Sequence, residues 1–280
     1  MKRIWPALVL TLCVCLTTAR ADDVRRGNHW DALLRDGAPV YDDPEVTARV
    51  AEIGQKVVAA SGNPLNFEFR FTVLNSAEPT AFAAPGGFVY ITTGLLQSLK
   101  SEDELAAVIA HEIGHINERH PMRTGMSPGS KKFWTAVISL GSMVAGAYLS
   151  SVVGEALRGM DQTIITPNGN MIVIDSVSSK AASLVDSFTQ IATSELGQQI
   201  IVSFYQGYKD EFEFKADELA LTYSKSAGYK SDALLGVFDR MINHDGETSS
   251  MAVSHLHSPK GVLKKRIAQA NQQLKARAAQ

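Results

Sequence analysis

The chain has 280 residues, of which 45% are hydrophobic and 20% charged, and its formal net charge is −2. This is ordinary globular composition, ample for one large core or two small ones. The slightly acidic balance argues against a nucleic-acid partner.

The first residues read as an address rather than as fold. Lys2 and Arg3 make a basic start, residues 7–16 are an apolar run, and Ala19-Arg20-Ala21 is an A-x-A cleavage site. The pattern predicts a signal peptide over 1–21, cleaved before Asp22, and hence export to the periplasm or cell envelope of a bacterium. A lipoprotein signal is the alternative, but Leu12 and Val14 precede Cys13 and Cys15 where a small residue is wanted. Cleavage removes Lys2, Arg3 and Arg20 and no acid, so the mature chain is more acidic still. It also removes both cysteines, leaving no disulfide framework and no thiolate ligand.

Residues 22–42 are polar and mixed, and predict a loose leader. Asp43-Pro44 then opens a helix, with Val46, Val50, Ile53 and Val57 on one stripe, and Ser61-Gly62-Asn63-Pro64 stops it. Phe67, Phe69 and Phe71 alternate with polar residues, as in a half-buried strand. Over 81–93, Pro85-Gly86-Gly87 makes a turn into a second strand at 88–91. Ser101 and Glu104 form a capping box, after which Leu105, Val108, Ile109, Ile113 and Ile116 recur at helical spacing to about His120.

Residues 121–209 read as an insertion. Residues 133–153 carry no charge, which is long enough for a membrane span. One span would part the two halves of the site described next, and the following apolar stretch holds Asp186 and Glu195, which are costly in lipid. A buried or interfacial helix is the reading preferred. Pro167-Asn168-Gly169-Asn170 between β-branched residues predicts a hairpin. Residues 260–280 form a basic amphipathic tail with Val262, Ile267, Ala268 and Leu274 apolar, a packing helix with membrane-surface contact as the lesser reading.

The chemistry centres on His111-Glu112-Ile113-Gly114-His115, which reads H-E-x-x-H inside the capped helix. Residues four apart share a helix face and lie about 6 Å apart along its axis. Two imidazoles so placed can hold one zinc ion, and Glu112 can act as general base towards a water at the open position. A peptidase zinc needs a third protein ligand, which without cysteine must be His, Glu or Asp. His120 lies nine residues after His111, one short of the metzincin spacing, with Glu118 where that pattern has Gly, and reads better as a surface or outer-shell residue. Glu213 and Asp217 lie one turn apart on a second helical pattern. Alone they would be a solvated acidic face, as Glu211 and Glu218 are. Beside H-E-x-x-H, Glu213 becomes the third ligand and Asp217 the carboxylate that orients a ligating His.

H-E-x-G-H followed far downstream by Glu213-Phe214-Lys215-Ala216-Asp217 resembles the HtpX and CAAX-prenyl-protease family of zinc metallopeptidases. Ala81-Phe82-Ala83-Ala84-Pro85-Gly86-Gly87, Thr93-Gly94-Leu95-Leu96 and the Arg119-His120 pair extend the resemblance, which covers roughly 43–120 and 205–227. With a signal peptide, the chain looks most like the soluble periplasmic branch typified by BepA and LoiP. Two places depart from the family. Thr80 stands where Asn is common, and Arg266 follows His257 by nine residues instead of six. Thr80, His257 and Arg266 are therefore candidates for oxyanion or substrate contacts, with His255 a competitor and a helix-terminus or surface role the plainer reading.

The resemblance implies an α+β, mostly helical, gluzincin-type domain over 43–280, with a small sheet beside two zinc-bearing helices and one Zn2+ per chain. The expected partners are protein or peptide substrates, unfolded or misassembled, lying extended beside the 88–91 strand. A zinc-stabilised chaperone without proteolysis is the alternative, and an intact Glu112 weighs against it.

Overall fold

The computed structural model describes residues 20–32, 34–35, 40–76, 79–122, 164–165, 171–172, 208–243 and 260–279. Within these, α1 spans 20–32, α2 Pro44–Ser61 and β1 Arg70–Leu74. Next come β2 Ala81–Ala84, β3 Phe88–Thr92, α3 Thr93–Ser98 and α4 Glu102–Asn117. A 3-10 turn, His120–Met122, follows α4. A two-stranded pair, β4 Ile164–Ile165 and β5 Met171–Ile172, precedes α5 Asp210–Ser226, α6 Ala233–Asn243 and α7 Lys260–Ala278. The architecture is mostly helical with a small three-stranded sheet.

The helix starts follow from local chemistry. Asp43 caps α2, its Oδ1 accepting from the N–H groups of Glu45 and Val46 at 3.0 and 3.1 Å, and Pro44 needs no partner at the first turn. Gly62 ends the helix in the left-handed region. Ser101 caps α4 by accepting from the Glu104 N–H at 3.3 Å. The other half of the capping box is redirected. Glu104 accepts from the Lys100 N–H at 2.7 Å and takes Arg240 of α6 on both oxygens, at 2.8 and 2.5 Å.

The sheet runs β1-β3-β2, with β1 parallel and β2 antiparallel to β3. This corrects the expectation that a substrate lies beside residues 88–91. β3 is the central strand with both edges paired, and among the described residues the outer edge of β2 carries no strand. β1 also starts later than the alternation of Phe67, Phe69 and Phe71 suggests. Phe67 and Phe69 are buried in the approach to the strand, and the ladder begins at Arg70. The turn into β3 needs glycine at Gly87, where φ is +102° and a Cβ would lie 2.8 Å from the Glu68 carbonyl oxygen.

The leader expected to be loose is helical over 20–32 and packed. Trp30 is buried and stacks on Phe82 at 6.2 Å, and the Tyr90 hydroxyl donates to Asp31 at 2.9 Å. Buried Asp23 accepts from Arg119 at 2.7 Å, tying α1 to the end of α4. Polar composition hid this, because α1 buries only a few residues on one narrow face.

The core lies between the sheet and α4, which is buried from Glu104 to Ile116, with α2, α5 and α6 around it. α6 had no counterpart in the sequence reading, although Leu234, Val237, Phe238 and Met241 repeat at helical spacing. α7 is helical as expected but turns a different face inward. Leu263, Arg266 and Ala270 are buried, while Ala268 is exposed. The predicted hairpin pairs Ile164 with Ile172 and Ile165 with Met171. Residues 133–153 and residues 1–19 of the predicted 1–21 signal lie outside the described residues. Among the described residues no helix is long and apolar enough to cross a membrane.

Candidate metal centre

Two helices make the site. α4 carries His111, Glu112 and His115, and α5 carries Glu213 and Asp217. The helices approach closely at Gly114, where a Cβ would stand 3.3 Å from both the Ala216 Cα and the Leu219 Cβ. The glycine inside H-E-x-G-H is thus a packing residue that lets the backbones carrying the candidate ligands meet.

His111, His115 and Glu213 each turn one ligand atom inward, and these atoms lie within 4.8 Å of one another. The two Nε2 atoms are 3.0 Å apart, and Glu213 oxygens stand 3.4 Å from His111 Nε2 and 4.0 Å from His115 Nε2. Ligand atoms in a tetrahedral zinc shell are separated by about 3.3 Å, so the spacing fits. The donor set of two imidazoles and a carboxylate suits zinc, and all three side chains are essentially inaccessible at 0 or 1% exposure. Glu213 is fixed at the start of α5, where its Oε1 accepts from the Tyr208 N–H at 3.1 Å.

Glu112 is the fourth element. Its side chain is wholly buried, and neither carboxylate oxygen has a hydrogen-bond partner among the described residues. Burial, opposed by neighbouring His111, pushes its carboxyl up to about 7. Such an orphaned pair of oxygens is expensive in a protein interior unless something absent here engages it.

Around the ligands the two histidines are treated differently. Asp217 Oδ1 lies 3.0 Å from His111 Nδ1. Arg266 of α7 grips Asp217 with a two-pronged fork, Nε at 2.7 Å and a terminal nitrogen at 2.6 Å, and reaches Glu213 Oε2 at 3.0 Å. Its guanidinium also lies over the Phe238 ring at 4.4 Å. Burial favours neutral Asp217, but the Arg266 charge outweighs it and holds the carboxyl below its ordinary value. Burial likewise disfavours charged His111, yet Asp217 and Glu213 prevail and push it up to about 9. That proton and a metal cation compete for the same nitrogen.

His115 has an aromatic setting instead. Its Nδ1 is 2.9 Å from His120 Nδ1, and its ring stacks on Tyr208 at 4.1 Å.

The sequence-predicted set therefore divides. His111, Glu112, His115, Glu213 and Asp217 come together. Arg266 belongs to the same cluster but not to a surface or a helix terminus, because it is fully buried mid-helix against the α5 carboxylates. Thr80 is buried before β2, where its N–H donates to Thr92 Oγ1 at 2.9 Å, a strand-end contact. His255 and His257 lie outside the described residues. The one signal that could have assigned Arg266 its place is an arginine lying in line with Leu263 and Ala270 on a helical stripe.

Residues 44–274 match the sequence pattern of peptidase family M48. The chain belongs to peptidase family M48. Membership places it among the metallopeptidases, in agreement with the HtpX-type resemblance. This M48 chain is 30% identical over 143 residues to the beta-barrel assembly-enhancing protease of Escherichia coli (strain K12), 51% of this chain and 29% of that protein. It is 28% identical over 219 residues to the protein of that name from Yersinia pestis, 75% of this chain and 43% of that one. It is 39% identical over 92 residues to a protease HtpX homolog of Caldanaerobacter subterraneus, 31% of this chain and 29% of that protein. The M48 chain thus spans less than half the length of each of these relatives.

Proposed function

We propose that this chain is a zinc-dependent endopeptidase of gluzincin type, exported to the cell envelope, that hydrolyses unfolded or misassembled envelope proteins. The observation that carries the reading is the meeting of His111, His115 and Glu213 beside a buried Glu112 whose oxygens lack partners among the described residues. The relatives named beta-barrel assembly-enhancing protease support the envelope setting. The peptidase domain would run over 43–280, interrupted at about 121–209, behind a cleaved signal and the short α1 leader.

His111, His115 and Glu213 would hold one zinc ion, which supplies Lewis acidity towards the scissile carbonyl and an acidified water. Glu112 accepts the proton of the attacking water and returns it to the leaving amine. Asp217, backed by Arg266, keeps His111 oriented. The substrate backbone would add along the outer edge of β2, the edge left unpaired among the described residues. Recognition by backbone hydrogen bonds reads little sequence, which suits unfolded substrates. Ala81–Ala84 and the side chains of His111, His115 and Glu213 are buried.

The test pairs the wild type with Glu112→Gln in residues 22–280. Both should bind one zinc per chain, and only the wild type should cleave unfolded casein, with a chelator abolishing that cleavage. Zinc in both forms with cleavage in neither would move a zinc-stabilised chaperone ahead.

A further inference from the structure

His120 sits five residues after His115, which on a continuous helix would put it about 140° round the axis. The chain does not continue. Arg119 takes a left-handed conformation at φ 56°, and the following 3-10 turn brings His120 back over the ligand, 99% buried. Its Nδ1 lies 2.9 Å from His115 Nδ1, on the side of that ring away from His111 and Glu213. Phe212 stacks flat on the His120 ring at 4.3 Å with an interplanar angle of 11°, and α1 secures the turn through Asp23 and Arg119. A buried, stacked imidazole aimed at the outer nitrogen of a ligating imidazole is a built arrangement.

We infer that His120 is a positioning residue for the metal centre: its Nδ1 accepts the hydrogen of His115 Nδ1 and so presents His115 Nε2 to the metal. The inference rests on the metal-site reading above. A neutral imidazole carries one ring hydrogen, and a nitrogen that gives its lone pair to a metal carries none. With His115 Nε2 ligating, its hydrogen is on Nδ1. The nitrogen 2.9 Å away must then accept, so His120 carries its own hydrogen on Nε2. The opposite arrangement would set two N–H groups head to head in a buried space. His120 thereby does for His115, as an uncharged acceptor, what Asp217 does for His111 as a charged one.

The test is competition for zinc between the protein (residues 22–280) and a chelating dye, using His120→Phe and His120→Asn. Phe keeps a ring against Phe212 but offers no acceptor. Asn gives up the stack but places its Oδ1 where Nδ1 was. The inference expects His120→Phe to lose on the order of 10–100-fold in zinc affinity, with His120→Asn closer to wild type. A purely packing role predicts the reverse order, and either that order or unchanged affinity in both overturns the inference. The zinc-loaded wild type gives a second reading that does not depend on a variant folding. Nitrogen-15 spectra of its imidazoles should show the His120 hydrogen on Nε2, and a hydrogen on Nδ1 would overturn the inference alone. A wild type that takes up no zinc would overturn the metal-site reading and this inference with it.

Discussion

The two histidines of H-E-x-x-H are one helical turn apart, yet the protein supports them by opposite means. Behind His111 stands a charged network, with Asp217 gripped by Arg266 and the same guanidinium reaching Glu213. Behind His115 stands an aromatic cluster of His120, Tyr208 and Phe212. A charged network is strongly orienting, but each member depends on the others, because a buried charge left alone is costly. A stacked cluster without a carboxylate leaves no lone buried charge behind when one member is lost, so its loss costs the fold less. The His111 side should therefore be the fragile half of the site.

Arg266→Met should produce the largest effect. It leaves Asp217 and Glu213 as neighbouring buried carboxylates without their cation, at about 3–5 kcal/mol of stability. Zinc should restore part of the loss, since a bound cation stabilises the folded state by mass action. Urea unfolding with and without zinc measures both, and a variant as stable as wild type without metal would dissolve the distinction between the halves.

Asp217→Asn comes next. It keeps an oxygen near His111 but removes the charge, and zinc affinity should fall on the order of 10–100-fold by chelator competition. Gly114→Ala acts on both halves at once, since the new methyl meets the α5 backbone at 3.3 Å. The strain should outweigh the gain in helix propensity and leave a net loss of about 1–2 kcal/mol. Zinc affinity should fall with stability there, whereas a loss confined to stability would show that the helix spacing does not set the ligand geometry.

The Glu104–Arg240 pair, away from the metal, gives the smallest effect and serves as a control. Burial raises the Glu104 carboxyl, but Arg240 and the Lys100 N–H outweigh it and hold it below its ordinary value of 4.5. A lowered carboxyl stabilises the fold above its unfolded pKa, and that stabilisation is lost as pH falls through the folded value. Arg240→Gln should cost about 1 kcal/mol at pH 7, and the gap to wild type should close as the pH drops below 4.5. A gap that persists in acid would mean Arg240 acts by packing.

The same contrast explains what the sequence could reveal. The candidate ligands on α4 are legible because four-residue spacing on a capped helix is a local rule, and Asp43-Pro44 marks the start of α2 for the same reason. Glu213 and Asp217 were readable as a pair one turn apart, but only H-E-x-x-H lifted them above a solvated face. The central place of β3 was not legible, because strand order is decided by distant pairing with Arg70–Leu74 and Ala81–Ala84. Arg266 stands out in the sequence but its surroundings do not, since its partner Asp217 lies 49 residues away. For His120 the outer-shell reading agrees with its place against His115 and the surface reading does not, because the left-handed backbone at Arg119 turns it inward. The packed α1 was missed because a polar segment can be held by a few buried anchors such as Asp23 and Trp30.

In the proposed centre, His111, His115 and Glu213 bind one zinc and Glu112 does not. Zinc affinity measured by chelator competition on the wild type, Glu213→Ala and Glu112→Gln tests it most directly. One tight zinc per chain in the wild type and Glu112→Gln, with a large loss in Glu213→Ala, is the predicted result. Equal affinity in the wild type and Glu213→Ala, or a large loss in Glu112→Gln, would contradict it.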